Sequence, residues 1–378
     1  MKYPLFKVHV DIEDVMSRIR KVLESGFLNE GREVLEIRRL LKEILDQDNV
    51  TMTSSCTGSL MMALKIAGVG FGDEVIAPSM TCVATNVSTE WLGAKTIWAD
   101  IEYETGNIDP EDVIRKITNK TKAVICVNWA GVPCKLEKLQ SICRENGIKL
   151  IQDAAHSFGS TYKNKEVSHW ADITCYSFQA IKHITTGDGG AIVCLNDNDH
   201  EYAARLKWYG FDRDRLKDED GNWKGRRWDS NIKEVGWKLN MNNLSAAIGI
   251  SNLERKDFIV GTHKNNAALY KNYFLKNKNI TPLKIDNHMD PAYWIYTVLL
   301  DSSINRDRVI SDMANLDIHT GVIHVPNHPY DCFKETGNDL VNTNKFAAHQ
   351  ISLPCGWWLS EKDVKYIADS LLGVINKQ

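Results

Sequence analysis

Between about residues 50 and 200, short apolar runs alternate with amphipathic stretches, and that alternation restricts the chain to few architectures. The spacing predicts strands at 74–78, 95–100, 123–127, 149–152, 173–178 and 191–195. Helical spacing or capping residues fill the gaps between the earlier ones, at 58–67, 85–92, 110–116 and 136–146. Asp109, Pro110 and Glu111 form a helix start, with an acid at the N-cap and proline at the first helical position. Strands that alternate with helices predict a mostly parallel sheet covered on both faces. Ligands of such sheets sit beyond the carboxyl ends of the strands.

At 378 residues the chain exceeds what one core usually supports, so two domains are expected. The first would span 1–255, and a smaller α+β domain would span 256–378. Residues 205–235 break the rhythm: they are charged, aromatic and poor in aliphatics, and read as a long ordered loop near a site or interface. Lys+Arg number 46 against Asp+Glu 49, a net charge of −3, so no basic footprint for nucleic acid is present. The longest apolar runs are too short to span a bilayer. The opening residues, MKYPLFKVHV, lack the layout of a secretory leader. None of the nine cysteines lies in a C-x-x-C pair, and several sit in apolar runs as small hydrophobes. A reduced, cytoplasmic protein is expected.

Two segments carry the chemistry, LIQDAAHSFGS (150–160) and CYSFQAIKHITTGDGGAIV (175–193). Asp153 ends one predicted strand and would emerge at the carboxyl edge of the sheet. Alone it could be no more than a helix cap. Ser177 lies near the end of the next strand, Lys182 follows five residues later, and a small, Gly-rich stretch (185–190) leads into the strand after that. A lysine is usually a solvated charge. Between two apolar strands, partial desolvation would lower its pKa and make it a competent imine-forming amine. Hydroxyls and free amides at the helix start in Thr51–Ser59 offer a cup for a phosphate dianion, with Ser177 as a further donor. An amine, an acid at a strand end and a phosphate cup are what pyridoxal 5'-phosphate (PLP) chemistry requires.

These motifs resemble the DegT/DnrJ/EryC1/StrS family of PLP-dependent sugar aminotransferases. The likeness rests on Cys56-Thr57-Gly58 at a helix start and on Asp153, Ala155 and His156 as D-x-A-(Q/H). It continues through Ser177, Phe178 and Lys182, the T-T-G-D-G-G run at 185–190, Gly236 with Met241, and the A-A-I-G run at 246–249. It spans roughly residues 20 to 255. The resemblance implies a PLP fold type I (aspartate aminotransferase-like) α/β architecture and a homodimer with shared active sites. It implies that Lys182 forms the imine and moves the proton, and that Asp153 pairs with the pyridine nitrogen. His156 would lie near the ring face or phenolic oxygen, and Thr57, Gly58 and Ser177 would bind the phosphate.

Two positions depart from the family pattern. Lys238 stands where many members carry asparagine, and could meet a phosphate across the dimer as a point charge. Cys82 stands where an aromatic often stacks on the ring. The expected reaction moves an amino group from an amino acid, L-glutamate, to a nucleotide-linked keto-deoxy sugar with its keto group at C3 or C4. Arg226, Arg227 and Trp208 would form a wall for the sugar nucleotide, arginine by bidentate contacts to its pyrophosphate. Two alternatives stand beside this reading: a dehydratase of the same family, and a non-catalytic PLP-binding regulator. The dehydratases carry histidine in place of lysine, whereas here Lys182 is present and His183 follows it. Metal hydrolysis has little support, because Pro326 separates His324 from His328 and no H-E-x-x-H occurs.

Overall fold

A computed structural model describes residues 2–212, 224, 231–333 and 339–378. Its strands in the first two-thirds of the chain are β1 (Val50–Thr53), β2 (Glu74–Pro78), β3 (Lys95–Ala99), β4 (Thr121–Val127), β5 (Lys149–Asp153), β6 (Thr161–Tyr162), β7 (Lys165–Glu166), β8 (Ile173–Ser177) and β9 (Gly190–Cys194). Then come β10 (Ile280–Pro282), β11 (Met289–Asp290), β12 (Tyr296–Leu300) and β13 (Gln350–Leu353).

Seven strands form one sheet in the order β1-β9-β8-β5-β4-β2-β3. The five from β3 to β8 are mutually parallel, and β9 runs against both of its neighbours. The apolar alternation has a direct physical outcome here. Along β4, Val124 and Cys126 face one core while Ala123 and Ile125 face the other, the period of two that a strand buried on both faces must show. The first core is closed by helices Arg32–Leu45, Leu136–Glu145 and Asn243–Leu253, and the second by helices Cys56–Ile66 and Asp197–Leu206.

A separate core surrounds the antiparallel sheet β10-β12-β13, packed by helices Lys256–Phe274, Arg306–Ala314 and Glu361–Ile375. Tyr3 belongs to this core and bridges Ile318, so the first residues of the chain pack with the last third.

One predicted element needs correction. No strand was expected before residue 74, yet Val50–Thr53 is a strand that pairs antiparallel with β9, and the helix expected from Gly58 starts at Cys56. Thr51 and Thr53 satisfy a buried strand because backbone pairing and side-chain bonds absorb their polarity; the Thr53 hydroxyl, for example, meets Ser59 Oγ at 2.7 Å.

Candidate active site

β5 is apolar through Ile151 and ends on Asp153, at the carboxyl edge beside β4 and β8. Asp153 is 4% exposed. A buried carboxylate must be hydrogen-bonded. The Thr85 hydroxyl donates to Oδ2 at 2.8 Å and the Ala155 N–H donates to Oδ1 at 3.1 Å, with Cys56 Sγ 3.9 Å from Oδ1. Burial raises the pKa of the carboxyl above the ordinary value, opposed in part by those donors and by the charge of Lys182.

Lys182 lies in the loop between β8 and β9. That loop is shaped by backbone bonds from Lys182 to the Gln179 carbonyl and from Thr186 to the Phe178 carbonyl, each 2.9 Å. The amine sits 3.7 Å from the centre of the Trp294 ring. Burial lowers its pKa to about 8, and the nearby Asp153, Cys82 and Cys56 pull partly in the other direction. Near neutral pH a useful fraction of this lysine is therefore an uncharged nucleophile.

His156 follows in the turn after β5. Its ring stacks on Trp294 (4.1 Å between centres, 15°) and on His324 (5.4 Å, 9°). Burial, with the charge of Lys182 next, holds both imidazoles below their ordinary range, His324 at about 3. Both rings are thus neutral at pH 7. His156 Nδ1 and His324 Nε2 are buried with no hydrogen-bond partner among the described residues.

The helix Cys56–Ile66 begins at the same end. Ser55 caps it, its Oγ accepting the Gly58 N–H at 3.1 Å, so that hydroxyl serves the helix itself. The first-turn amides have no acceptor within a helix and add to its positive end. Gly190 brings β9 against this turn: a Cβ there would lie 2.6 Å from Cys56 N and 2.8 Å from Tyr176 O. Gly190 also pairs with Ser177. The glycine thus lets Ser177 approach the helix start that carries Thr57 and Gly58. Helix N-terminus, hydroxyls and small residues together suit a phosphate dianion.

Of the residues expected from sequence, the fold therefore gathers Lys182, Asp153 and His156 in one place, and Thr57, Gly58 and Ser177 at one helix end. Lys238 and Trp208 form another pair, bridged through their backbones with the Lys238 amine 4.2 Å from the indole centre and in contact with Asn240. Their segment passes the helix start, since Ser54 N–H donates to the Leu239 carbonyl at 2.6 Å. Arg226 and Arg227, like Arg213, Arg215 and Trp228, lie outside the described residues. Sequence reasoning missed Thr85, Trp294 and His324 as neighbours of the site. His324 and His328 diverge, His324 onto His156 and His328 onto Ser79 Oγ at 2.8 Å.

The model of the DegT/DnrJ/EryC1/StrS aminotransferase family matches residues 10–372. The chain belongs to that family. GDP-perosamine synthase of Vibrio cholerae is 30% identical over 359 residues, 94% of each chain. UDP-4-amino-4,6-dideoxy-N-acetyl-beta-L-altrosamine transaminase of Campylobacter jejuni is 27% identical, over 98% of this chain and 96% of the other. The solved structure of the sugar aminotransferase CalS13 from Micromonospora echinospora superposes with a TM-score of 0.91 at 27% identity, over 99% of this chain and 100% of that one. The fold is accordingly the type I α/β fold of the family, and the chain is a PLP-dependent aminotransferase. The donor set fits the cofactor: an amine of lowered basicity, a buried carboxylate, partnerless nitrogens on two neutral imidazoles and a phosphate-ready helix end.

Proposed function

We propose that this aminotransferase moves an amino group from L-glutamate to a keto-deoxy sugar carried on a nucleotide, keto at C3 or C4, by a ping-pong scheme. The reading rests on one observation above the others. Lys182, a half-buried lysine whose amine has no ion-pair partner among the described residues, stands within the field of the buried Asp153. When bound, PLP supplies an aldehyde for amine capture and a ring that takes up the electron pair left when a substrate C–H bond breaks.

The chain's residues would do the rest. Lys182 Nζ anchors the cofactor and, once released, takes the proton from the donor's α-carbon and returns one to the opposite end of the exchange. The Asp153 carboxylate holds the ring nitrogen in its protonated form. Thr57 and Gly58 at the helix start, with Ser177, hold the phosphate, and His156 offers its ring and Nδ1 beside them. Lys238 reaches the phosphate held by a second copy, in a homodimer. Trp208, with Arg226 and Arg227, forms the wall for the sugar nucleotide.

The nucleotide-sugar substrate is supported by what the relatives are named for: a GDP-sugar synthase, a UDP-sugar transaminase and a spore coat polysaccharide biosynthesis protein of Bacillus subtilis. The setting that fits is cytoplasmic synthesis of a surface polysaccharide such as O-antigen. Among the described residues no helix is long and apolar enough to cross a membrane.

The test is a panel of GDP-, UDP- and dTDP-linked 3-keto and 4-keto deoxysugars, each incubated with holoenzyme and glutamate and read by product mass. An amino sugar nucleotide from one of them, with one 2-oxoglutarate per product, is the expected result. Turnover with simple keto acids alone and none with any nucleotide sugar would overturn it.

A further inference from the structure

Trp294 belongs to no motif, yet the fold fixes it from several directions. It is 3% exposed, and its Nε1 donates to the Ile181 carbonyl at 2.7 Å, one residue before Lys182. His183, one residue after Lys182, meets the Ala292 carbonyl at 3.1 Å, and His263 meets the Tyr293 carbonyl at 2.8 Å. The Ala292 N–H donates to Ser160 Oγ at 2.8 Å. Tyr293 itself adopts φ +49°, a left-handed conformation that a bulky residue keeps only when its surroundings hold it there. Phe6 from the opening segment and His156 stack against the indole, at 4.8 and 4.1 Å. The residues on both sides of Lys182 thus clamp the backbone that presents Trp294, and Trp294 presents its ring to the Lys182 amine at 3.7 Å, well inside cation–π range of about 6 Å.

We propose that Trp294 is a positioning residue for Lys182: its ring confines the amine to one place and keeps water from it, both before cofactor capture and when the amine is free to carry protons. The inference rests on the reading of Lys182 as the anchor. The groups that face this amine are Asp153 from β5, Cys56 from the helix start, Cys82 ahead of helix Val83–Glu90, and His156 and His324 from the stacked wall. The two clamping histidines, His183 and His263, are held neutral by burial and do not titrate near pH 7. Burial is the leading cause of the amine's lowered basicity, opposed in part by Asp153, Cys82 and Cys56. Opening the site to water should therefore raise the amine's pKa toward the ordinary value of about 10.4.

The experiment follows PLP uptake by cofactor-stripped protein from pH 6 to 10, by absorbance. In capture a neutral amine adds to the aldehyde and one water leaves, so the uptake rate rises as the amine loses its proton. The wild-type midpoint should fall near pH 8. Trp294→Ala should move it up by about one unit or more, which makes uptake at pH 7.5 roughly tenfold slower. Trp294→Phe, which restores a ring, should stay near wild type. Trp294→Gln, a second way of wetting the site, should shift upward like alanine and decides the matter if the alanine variant does not fold. Single-turnover reaction with glutamate should slow in the shifted variants with little change in glutamate affinity. An unmoved midpoint in the alanine or glutamine variant overturns the role of Trp294. Lys182→Ala is the control for the underlying reading: if it captures PLP covalently as wild type does, Lys182 is not the anchor and the reading fails independently of Trp294.

Discussion

A buried lysine and a half-buried one are held in opposite ways in this protein. Lys207 is 1% exposed, and its amine lies 2.5 Å from a carboxylate oxygen of Glu30, itself 4% exposed. The pair ties the end of helix Asp197–Leu206 to the turn before helix Arg32–Leu45, where Asn243 also holds the Gly31 and Val34 amides. Lys182 has an aromatic ring in place of a carboxylate, and Asp153 acts on it only through space. A matched buried pair serves structure, because loss of either partner strands the other in a poor solvent. An unmatched amine gives up basicity and gains nucleophilicity, the state that imine chemistry needs.

The largest effect should come from Lys182→Ala, which lowers turnover roughly 10⁴-fold or more while leaving the urea midpoint unchanged or slightly higher. A large stability loss there would erase the contrast. Lys207→Met should do the converse and destabilise the fold by about 3–5 kcal/mol in urea titration. The double variant Glu30→Leu/Lys207→Met should recover much of that loss, and failure to recover would mean that the pair is not the source of it. Asp153→Asn should retain covalent PLP yet lower turnover by about two orders of magnitude, read by comparing cofactor content with kcat.

The smallest effect concerns a third charge, on the half-buried Glu166, which solves the problem by protonation. Glu166 accepts from the Tyr176 hydroxyl at 2.8 Å to each oxygen and from the Ser168 N–H at 2.7 Å, and burial pushes its pKa from 4.5 up to about 7. Its pKa is raised on folding, so between those values the folded state binds the proton more tightly. Its contribution to stability is full below 4.5 and is lost as pH rises through about 7. Glu166→Gln should flatten the pH dependence of Tm across that window; an unchanged slope would show that Glu166 is not its source.

Most of the seven-stranded sheet was legible because strands buried on both faces read as plain apolar runs: Glu74–Pro78 matches the expected 74–78, and Gly190–Cys194 differs from 191–195 by one residue. Helix Pro110–Lys116 matches its predicted bounds because Asp109 and Pro110 fix its start, the Asp109 carboxylate accepting the Glu111 N–H. β1 was illegible because threonines before a helix look like a capping loop, and only pairing with β9, some 140 residues later, makes them a strand. The meeting of Lys182 and Asp153 at one edge of the sheet was legible through spacing around two strand ends. Trp294 and His324 were not, because they reach the site from β12's approach and from the segment between helices Arg306–Ala314 and Val341–His349, contacts that only tertiary closure creates. The aromatic run Tyr293, Trp294, Tyr296 was the one visible hint. Cys82 offers no ring, and the aromatic surface beside the amine comes instead from Trp294.

The most direct measurement is borohydride reduction of the PLP-loaded protein, followed by proteolysis and mass mapping of the pyridoxyl label. The account predicts one label per chain, on the peptide containing Lys182 and absent from the one containing Lys207. A label on any other lysine, or none at position 182, would contradict it.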